Sequence, residues 1–259
     1  MSDTLANLFA SKFIARTDVK ALAHPGGWYS PVEEPWTRAD LNAHLAGEKV
    51  YGHYLLNASD QCKFFAFDID LEKNKPNEFQ GYYPDDDLNI REFNPRYDWR
   101  DRSHPSQKWQ TYQLKMMASM LMKAIWEECE IPCATAYSGA KGVHVYGFTG
   151  LMPAEDVRYA AQEIVIPAIG HLKPSRGDNF YKWDDSDPIT GYPNLSIELF
   201  PKQDSLEGKK LGNLLRLPLG RNIKSQDKTF FIDLRSPMSV MKPADPVWAL
   251  TTTNPWGDN

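Results

Sequence analysis

The sequence predicts an α+β domain in which two helices cover one face of a largely antiparallel sheet. Three observations lead to this class. Strand-like segments follow one another without a helix between them at 133–148 and again at 195–234. Two longer segments, 106–128 and 153–169, have the apolar spacing of amphipathic helices. The 259 residues, 42% of them hydrophobic, are enough to bury one large core.

The amino-terminal quarter predicts a helix, a breaker-rich stretch and a second helix before the first clear strand. Apolar residues recur at helical spacing within residues 3–23, and residues 25–37 are rich in Pro and Gly. Thr37 is a suitable N-cap for a short helix that runs through Leu45. Residues 47–56 then predict a turn and a strand.

The centre of the chain predicts a buried strand, a long polar segment and the clearest helix. The run F64-F-A-F-D-I-D70 is apolar on both faces, as in the middle of a covered sheet. Residues 71–105 are polar and long for an ordinary connection, which indicates a functional loop or an insertion. The helix at 106–128 carries a methionine-rich stripe that suits core packing.

The carboxyl-terminal half predicts five strands and the second helix. The strands begin at residues 133, 143, 195, 214 and 229. A turn at 138–142 joins the first two strands, and a breaker-rich loop occupies 178–194. The tail from Pro243 onward is also rich in breakers, so we expect it to follow an irregular path.

Composition restricts the possible functions. The formal net charge of −5 excludes a wholly basic nucleic-acid coat but not a local basic cleft. Cys62, Cys129 and Cys133 are too few for a disulfide framework and predict buried thiols in a reducing compartment. No signal peptide and no run of roughly 18 apolar residues is visible, so we expect a soluble, cytoplasmic protein without a membrane partner.

Two acids, Asp68 and Asp70, end the apolar run of the central strand. Residues two apart on a strand face the same side, so the two carboxylates repel each other unless a cation lies between them. Hard oxygen ligands suit Mg²⁺ or Mn²⁺, and paired metals are often bridged in this way. The structural alternative is that one Asp caps the following turn while the other is solvated.

The turn S138-G-A-K-G142 predicts an anion-binding site. Gly139 and Gly142 flank Lys141 and allow backbone N–H groups to approach a phosphate closely. Ser138 adds a hydroxyl, and His144 follows on the next strand, facing back toward the ligand of the turn. The segment is not a Walker loop, because GxxxxGK[ST] is absent and no helix follows. An ordinary hairpin with a hydrogen-bonded histidine is the alternative.

Glu198 is a third acid embedded in an apolar strand, and Lys202 follows it four residues later. A lone buried Glu is costly, so an ion pair with Arg216 in the next strand is one explanation. The other explanation makes Glu198 a third metal-binding carboxylate, with Lys202 and Arg216 binding phosphates.

In this order the three groups resemble the motifs of the archaeo-eukaryotic primase superfamily. Its motif I is D-x-D or D-x-E, its motif II a small residue followed by x-H, and its motif III an acid after a hydrophobic residue. Here they read D68-I-D70, G142-V-H144 and I197-E198. The strings I197-E-L-F-P-K-Q and G212-N-L-L-R-L-P-L-G resemble in particular the primase-polymerases of TOTE conflict systems and CRISPR-associated primase-polymerases. Motif II also resembles the polymerase domain of bacterial end-joining ligases.

The resemblance spans roughly residues 8–235 and implies a single catalytic core over 1–259. The core would combine N-terminal α/β elements at about 1–60, an RRM-like antiparallel sheet with flanking helices at about 61–235, and a tail at 236–259. Asp68, Asp70 and Glu198 would hold two Mg²⁺ or Mn²⁺ ions, with no organic cofactor. The residues implied to bind the nucleotide are Ser138, Gly139, Lys141, Gly142, His144, Lys202, Gln203, Asn213, Arg216 and Arg221.

The implied activity is that of a template-dependent nucleotidyltransferase, a DNA primase-polymerase that uses NTPs or dNTPs to extend or start a primer. His144 would be catalytic by neutralising phosphate charge rather than as a base. The implied partners are a single-stranded DNA template or primer-template, and helicase or CRISPR-system proteins. The alternatives are an end-joining or repair polymerase domain, an idle nucleotide- or nucleic-acid-binding module, and a metal-dependent nuclease. Idle modules do not need buried acids, and nucleases do not need a triphosphate turn.

DNA binding by an acidic protein requires a local cluster of basic side chains. The basic residues available for such a cleft are Lys20, Arg38, Lys108, Lys115, Lys123, Arg158, Lys173, Arg176, Lys209, Lys210, Arg216, Arg221 and Lys224. Aromatic residues between 79 and 110 either stack on bases or pack beneath the polar segment, and packing is the favoured role.

Overall fold

The computed structural model describes residues 3–71, 81–84, 90–93, 106–183 and 195–252. The helices are α1 (Asp3–Phe13), α2 (Arg38–Ala46), α3 (Ser106–Cys129), α4 (Ala154–Tyr159), α5 (Ile166–Ile169) and α6 (Pro246–Thr251), with a π-helical segment, Ala160–Val165, joining α4 to α5. The strands up to α3 are β1 (Lys20–Ala23), β2 (Tyr29–Val32), β3 (Tyr51–Tyr54), β4 (Gln61–Leu71), β5 (Gly81–Pro84) and β6 (Ile90–Phe93). The later strands are β7 (Cys133–Tyr137), β8 (Gly142–Pro153), β9 (Leu172–Pro174), β10 (Phe180–Trp183), β11 (Leu195–Phe200), β12 (Leu214–Arg216) and β13 (Phe230–Phe231).

The main sheet is antiparallel and has the strand order β13-β7-β8-β4-β11-β10-β9. Strand β4 is central because its residues are apolar on both faces, and it pairs with β8 on one side and β11 on the other. Helix α3 packs on one face of this sheet, where Thr135 on β7 donates its hydroxyl hydrogen bond to the sulfur of Met122 over 2.8 Å. The helical segment formed by α4 and α5 packs against both α3 and the sheet.

A smaller antiparallel sheet, in the order β12-β3-β1-β2, is formed mainly by the amino-terminal residues. Helix α1 joins it to the main sheet, because Phe13 packs edge-on against Tyr146 and Phe148 of β8 and Phe64 of β4. Helix α2 begins at Thr37, whose side chain accepts from the backbone of Asp40 in a reciprocal capping box. The predicted cap at Thr37 is therefore confirmed.

The antiparallel α+β architecture is confirmed, whereas several element predictions were wrong. The helix within 3–23 ends at Phe13, and β1 and β2 form a hairpin inside and beyond that region, because Gly26 and Gly27 supply the positive φ angles of +91° and +85° that its turn needs. The predicted loop at 178–194 contains β10. The predicted strand from 214 is present as β12 and lies in the smaller sheet. The strand expected from 229 is reduced to Phe230–Phe231.

Other expectations stay predictions. The RRM-like arrangement and the division of the chain at about 60 and 235 are not decided by the strand order. Most of the polar segment at 71–105, and the side chains of the aromatic residues expected there, lie outside the described residues; β5 and β6 form a hairpin within that segment. No helix in the described ranges is both long enough and apolar enough to cross a bilayer. Cys62, Cys129 and Cys133 are free thiols; Cys62 and Cys133 are buried, as predicted, whereas Cys129 is half-buried.

Candidate active site

The register of the main sheet brings the three predicted motifs together. Asp68 on β4 lies directly opposite His144 on β8 and opposite Glu198 on β11. Asp70 lies opposite Gly142, the last residue of the glycine turn. Directly opposite residues of antiparallel strands have Cβ atoms about 5 Å apart, so the motifs share one patch of the sheet face. Thr135, which contacts α3, lies opposite Val145 on β8, and Val145 lies opposite Phe67 on β4. Asp68 follows Phe67, so its side chain projects from the other face of the sheet, away from α3.

Each of the three acids contacts a basic side chain. His144 Nε2 lies 3.2 Å from Asp68 Oδ1, and Lys141 Nζ lies 2.6 Å from Asp70 Oδ2. Glu198 forms an ion pair with Lys202, four residues further along the chain. The predicted ion pair between Glu198 and Arg216 was therefore wrong: Lys202, just beyond the end of β11, holds the carboxylate, and Arg216 donates to the Ser138 carbonyl instead.

The electrostatics of the two aspartates differ. Burial alone would raise the pKa of Asp68, but the adjacent His144 and the positive charges of Arg216 and Lys141 outweigh it and hold that pKa below its ordinary value. Burial and the negative charge of Asp68 raise the pKa of Asp70, although Lys141 opposes the change. A second negative charge at this place is therefore costly unless further positive charge arrives.

The chemistry of the donor set fits a hard divalent cation. Asp68, Asp70 and Glu198 supply carboxylate oxygens from adjacent strands, and such oxygens are what Mg²⁺ and Mn²⁺ prefer. Over the described ranges, no three metal-ligating side chains converge on a ready-made metal site. The reason is visible in the ion pairs, because Lys141 and Lys202 hold Asp70 and Glu198.

The glycine turn is tied down by its backbone. Ser138 N donates to Gly142 O over 3.0 Å, and the Ser138 carbonyl accepts from Arg216 Nη2 over 2.5 Å and from Asn222 Nδ2 over 3.0 Å. A Cβ at Gly142 would collide with the Ile69 carbonyl and the Asp70 carboxylate. Glycine at this position therefore allows the turn to lie directly against the acidic strand.

Tyr146 is a site residue that sequence reasoning missed. Its hydroxyl lies 2.8 Å from His144 Nδ1, and the ring is fully buried among Phe13, Phe64 and Phe148. Burial raises the pKa of Tyr146, so the phenol stays protonated and can donate to Nδ1. The signal was present in the sequence, because H144-V-Y146 places both side chains on the same face of one strand.

Three residues that were predicted to bind the nucleotide contact other groups of the protein. Asn213 Oδ1 accepts from the Lys202 backbone N over 2.7 Å and so fixes the turn that follows β11. Gln203 donates to the Ser205 carbonyl over 2.6 Å. Arg221 is exposed and donates to the Gln226 carbonyl over 3.0 Å. Their roles toward a nucleotide stay predictions, and Asn213 is placed to act through Lys202.

Some of the basic residues offered for a DNA cleft have structural positions instead. Lys20 is buried and lies 2.6 Å from Asp40, and Arg158 lies 3.0 Å from Asp204. Lys115 is fully buried and donates to oxygens of the 233–240 segment. Assigning these three residues to a nucleic-acid surface was wrong, because sequence alone does not distinguish a solvated cation from one surrounded by carbonyl groups.

Comparison with known families agrees with this geometry. Residues 32–184 and 187–250 match the model of the TOTE conflict system archaeo-eukaryotic primase domain. A search among curated proteins found no match. The matched residues make up more than half of the chain and include Asp68, Asp70, the glycine turn, His144 and Glu198. The chain therefore belongs to the archaeo-eukaryotic primase domain family of TOTE conflict systems.

Proposed function

We propose that this chain is a template-dependent nucleotidyltransferase of the primase-polymerase type. In this reaction the 3′-hydroxyl of a primer, or of a first nucleotide, attacks the α-phosphate of an incoming nucleoside triphosphate, and pyrophosphate leaves. One observation carries the proposal: Asp68 has Glu198 opposite it on one side and His144 opposite it on the other, while the glycine turn abuts Asp70. Carboxylates and a phosphate-binding turn thus meet at one place.

Asp68, Asp70 and Glu198 are the residues that would hold divalent ions. When bound, such ions lower the pKa of the attacking hydroxyl and neutralise the leaving group. The raised pKa of Asp70 supports this assignment, because the neighbouring charge of Asp68 opposes its ionisation until a cation compensates both. Most of the rate would come from positioning and from charge neutralisation.

The basic residues of the site would bind the triphosphate. Lys141 and Lys202 are already at the acids and need only side-chain rotations to reach a phosphate placed against the turn. His144 would donate from Nε2, because Tyr146 occupies Nδ1. Arg216 supports the turn by bonding the Ser138 carbonyl and adds positive potential near Asp68.

The competing functions make different use of the same residues. A nuclease would use the acids but has no need of Lys141 and His144 at a glycine turn. A binding module without catalysis would use the turn but gains nothing from the repulsion between Asp68 and Asp70. A polymerase domain of the end-joining or repair type shares all of these groups and differs in the primer end that it accepts.

Primer extension tests the proposal. A labelled template-primer is incubated with dNTPs or NTPs and Mg²⁺ or Mn²⁺, and Asp70→Asn is expected to lower extension about 100-fold or more. Asp204→Asn, which changes an exposed acid paired with Arg158, is the control and should retain activity. Full activity in Asp70→Asn, or no metal-dependent extension by the unmodified chain, would overturn the proposal. Shortening of the primer would indicate a nuclease, and reactions without primer separate priming from extension.

A further inference from the structure

The turn of the β1–β2 hairpin carries a pair of stacked rings, the half-buried His24 and the exposed Trp28. The rings of His24 and Trp28 are nearly parallel, with centroids 3.8 Å apart and planes 12° apart. Backbone hydrogen bonds from His24 N to Trp28 O and from Gly27 N to His24 O close the turn, both over 2.9 Å. His24 Nε2 lies 2.6 Å from the Ser30 hydroxyl, which fixes the histidine ring. Trp28 is nevertheless 58% exposed, so its outer face is held open to solvent.

A basic segment of the chain lies against the turn that carries these rings. The Lys224 side chain lies over Gly27, close enough that a Cβ there would meet Lys224 Cδ at 3.4 Å. Arg221 and Lys228 are exposed and pair through a backbone bridge on the same segment, 221–228. Asp227 is the acid of that segment, so the segment has a net positive charge. An exposed ring on a turn that a basic segment contacts is the combination that single-stranded nucleic acid recognises, through base stacking and phosphate contacts.

The same segment is bonded to the glycine turn of the candidate active site. Asn222 Nδ2 donates to Ser138 O over 3.0 Å, and the Ser225 hydroxyl donates to Gly139 O. Tyr29, the neighbour of Trp28, is partly buried on the side of Arg216, whose charge opposes the rise that burial causes in the pKa of Tyr29. The 221–228 segment therefore contacts the turn that carries Trp28 and also holds the glycine turn of the candidate active site.

We propose that Trp28, supported by His24 and with Lys224 against its turn, is a stacking site for a nucleobase of single-stranded DNA. The strand would place its phosphates along the 221–228 segment as it leaves the active site. Its identity as the template rests on the proposed function, whereas its binding at Trp28 does not. A protein partner at the same ring is the competing occupant, and it predicts no effect of Trp28 on DNA affinity.

Fluorescence anisotropy with labelled oligo(dT) of about 20 nucleotides, in EDTA and without nucleotide, tests the site. Trp28→Ala is expected to weaken binding about 5- to 100-fold, the range that loss of one stacked base gives. Trp28→Phe should retain most of the affinity. Tyr159→Ala is the matched control, because Tyr159 is 60% exposed but lies on α4. Lys224→Ala should reduce the slope of log affinity against log salt by about 0.7.

Equal affinities of Trp28→Ala and Tyr159→Ala would overturn the inference, as would an unmodified chain that does not bind oligo(dT). Trp28 is exposed, so its variants should fold, and circular dichroism with thermal unfolding verifies this. A chain that binds oligo(dT) through Trp28 but extends no primer would leave this inference standing and overturn the proposed function. Primer extension by the unmodified chain, together with unchanged DNA binding in Trp28→Ala, would support the proposed function and overturn this inference.

Discussion

Single residues decide how the candidate active site is arranged, and Tyr146 shows what the sequence did not reveal. The pair D68-I-D70 and the turn S138-G-A-K-G142 could be located from spacing alone, because strand geometry fixes which side chains share a face. The partner of each acid could not be located, since a choice among Lys141, Lys202 and Arg216 depends on register and rotamer. Tyr146 was overlooked because an aromatic residue on a buried strand usually serves packing alone.

Removing the Tyr146 hydroxyl should weaken catalysis without weakening the fold. Tyr146→Phe keeps the ring packed on Phe13 and Phe64 but loses the hydrogen bond to His144 Nδ1. One hydrogen bond is worth about 1 to 1.5 kcal/mol, so kcat/KM for the nucleotide should fall about tenfold. Tyr181→Phe removes a hydroxyl bonded to the Asp178 carbonyl and is the control.

Nitrogen NMR distinguishes a role of Tyr146 in positioning the His144 ring from a general loosening of the fold. In the unmodified chain, His144 should show the tautomer with the proton on Nε2, and in Tyr146→Phe a mixture of tautomers. An unchanged tautomer with unchanged kcat/KM would contradict the role given to Tyr146.

At the scale of elements, contacts between distant segments account for the features that sequence patterns missed. Helix α3 and β4 were predicted because their apolar patterns are long and regular. The strand from residue 214 was predicted, but its partner was not: it pairs with β3 in the smaller sheet. Lys115 was grouped with surface cations, although its ammonium lies among oxygens supplied by residues more than one hundred positions away.

Lys115 should be a major link between α3 and the 233–240 segment. Its Nζ donates to the Ser236 hydroxyl over 2.8 Å and to the carbonyls of Ser236, Pro237 and Val240 over 3.0 Å each. Lys115→Met leaves these oxygens unsatisfied, so the free energy of unfolding should fall by about 3 kcal/mol in urea titrations.

Lys123→Met is the matched control for this prediction. It lies on the same helix, is 64% exposed and contacts only Glu127 at 3.7 Å among the ion pairs described for it. Its free energy of unfolding should change by no more than about 0.5 kcal/mol. Equal effects of the two substitutions would show that the carbonyl cluster around Lys115 contributes nothing to stability.

For the whole molecule, the class of fold and the grouping of the candidate site residues followed from the sequence, and the joining of the two sheets did not. Alternating apolar strands and two long amphipathic helices were enough to predict an antiparallel α+β core. The contact of Phe13 with β8 and the pairing of β12 with β3 depend on the packing of residues far apart in the chain. Two histidines, His44 and His53, are buried at this junction and were not singled out.

These two histidines should make the whole fold sensitive to mild acid. Burial lowers the pKa of His44 to about 4 and that of His53 to about 3, so both are neutral when folded. The unfolded chain takes up their protons below about pH 6.5, and stability is therefore lost as the pH falls. From pH 7 to pH 5, each should lower the free energy of unfolding by about 2 kcal/mol.

Urea unfolding at the two pH values measures this loss, and His53→Gln should remove about half of it. If that variant does not fold, NMR of the unmodified chain gives the same information, since both rings should remain neutral at pH 5. Stability that is equal at pH 5 and pH 7, or rings that are protonated at pH 5, would contradict the prediction.

The pairing of each acid with its own cation has a consequence for the order of events. Lys141 and Lys202 hold Asp70 and Glu198, so a divalent ion arriving alone must displace a lysine that then has no anion to contact. A triphosphate arriving alone meets lysines that are already neutralised. Under the proposed function, only the two together would exchange every ion pair at once, so we expect the site to bind the metal–nucleotide complex and to bind either component alone only weakly.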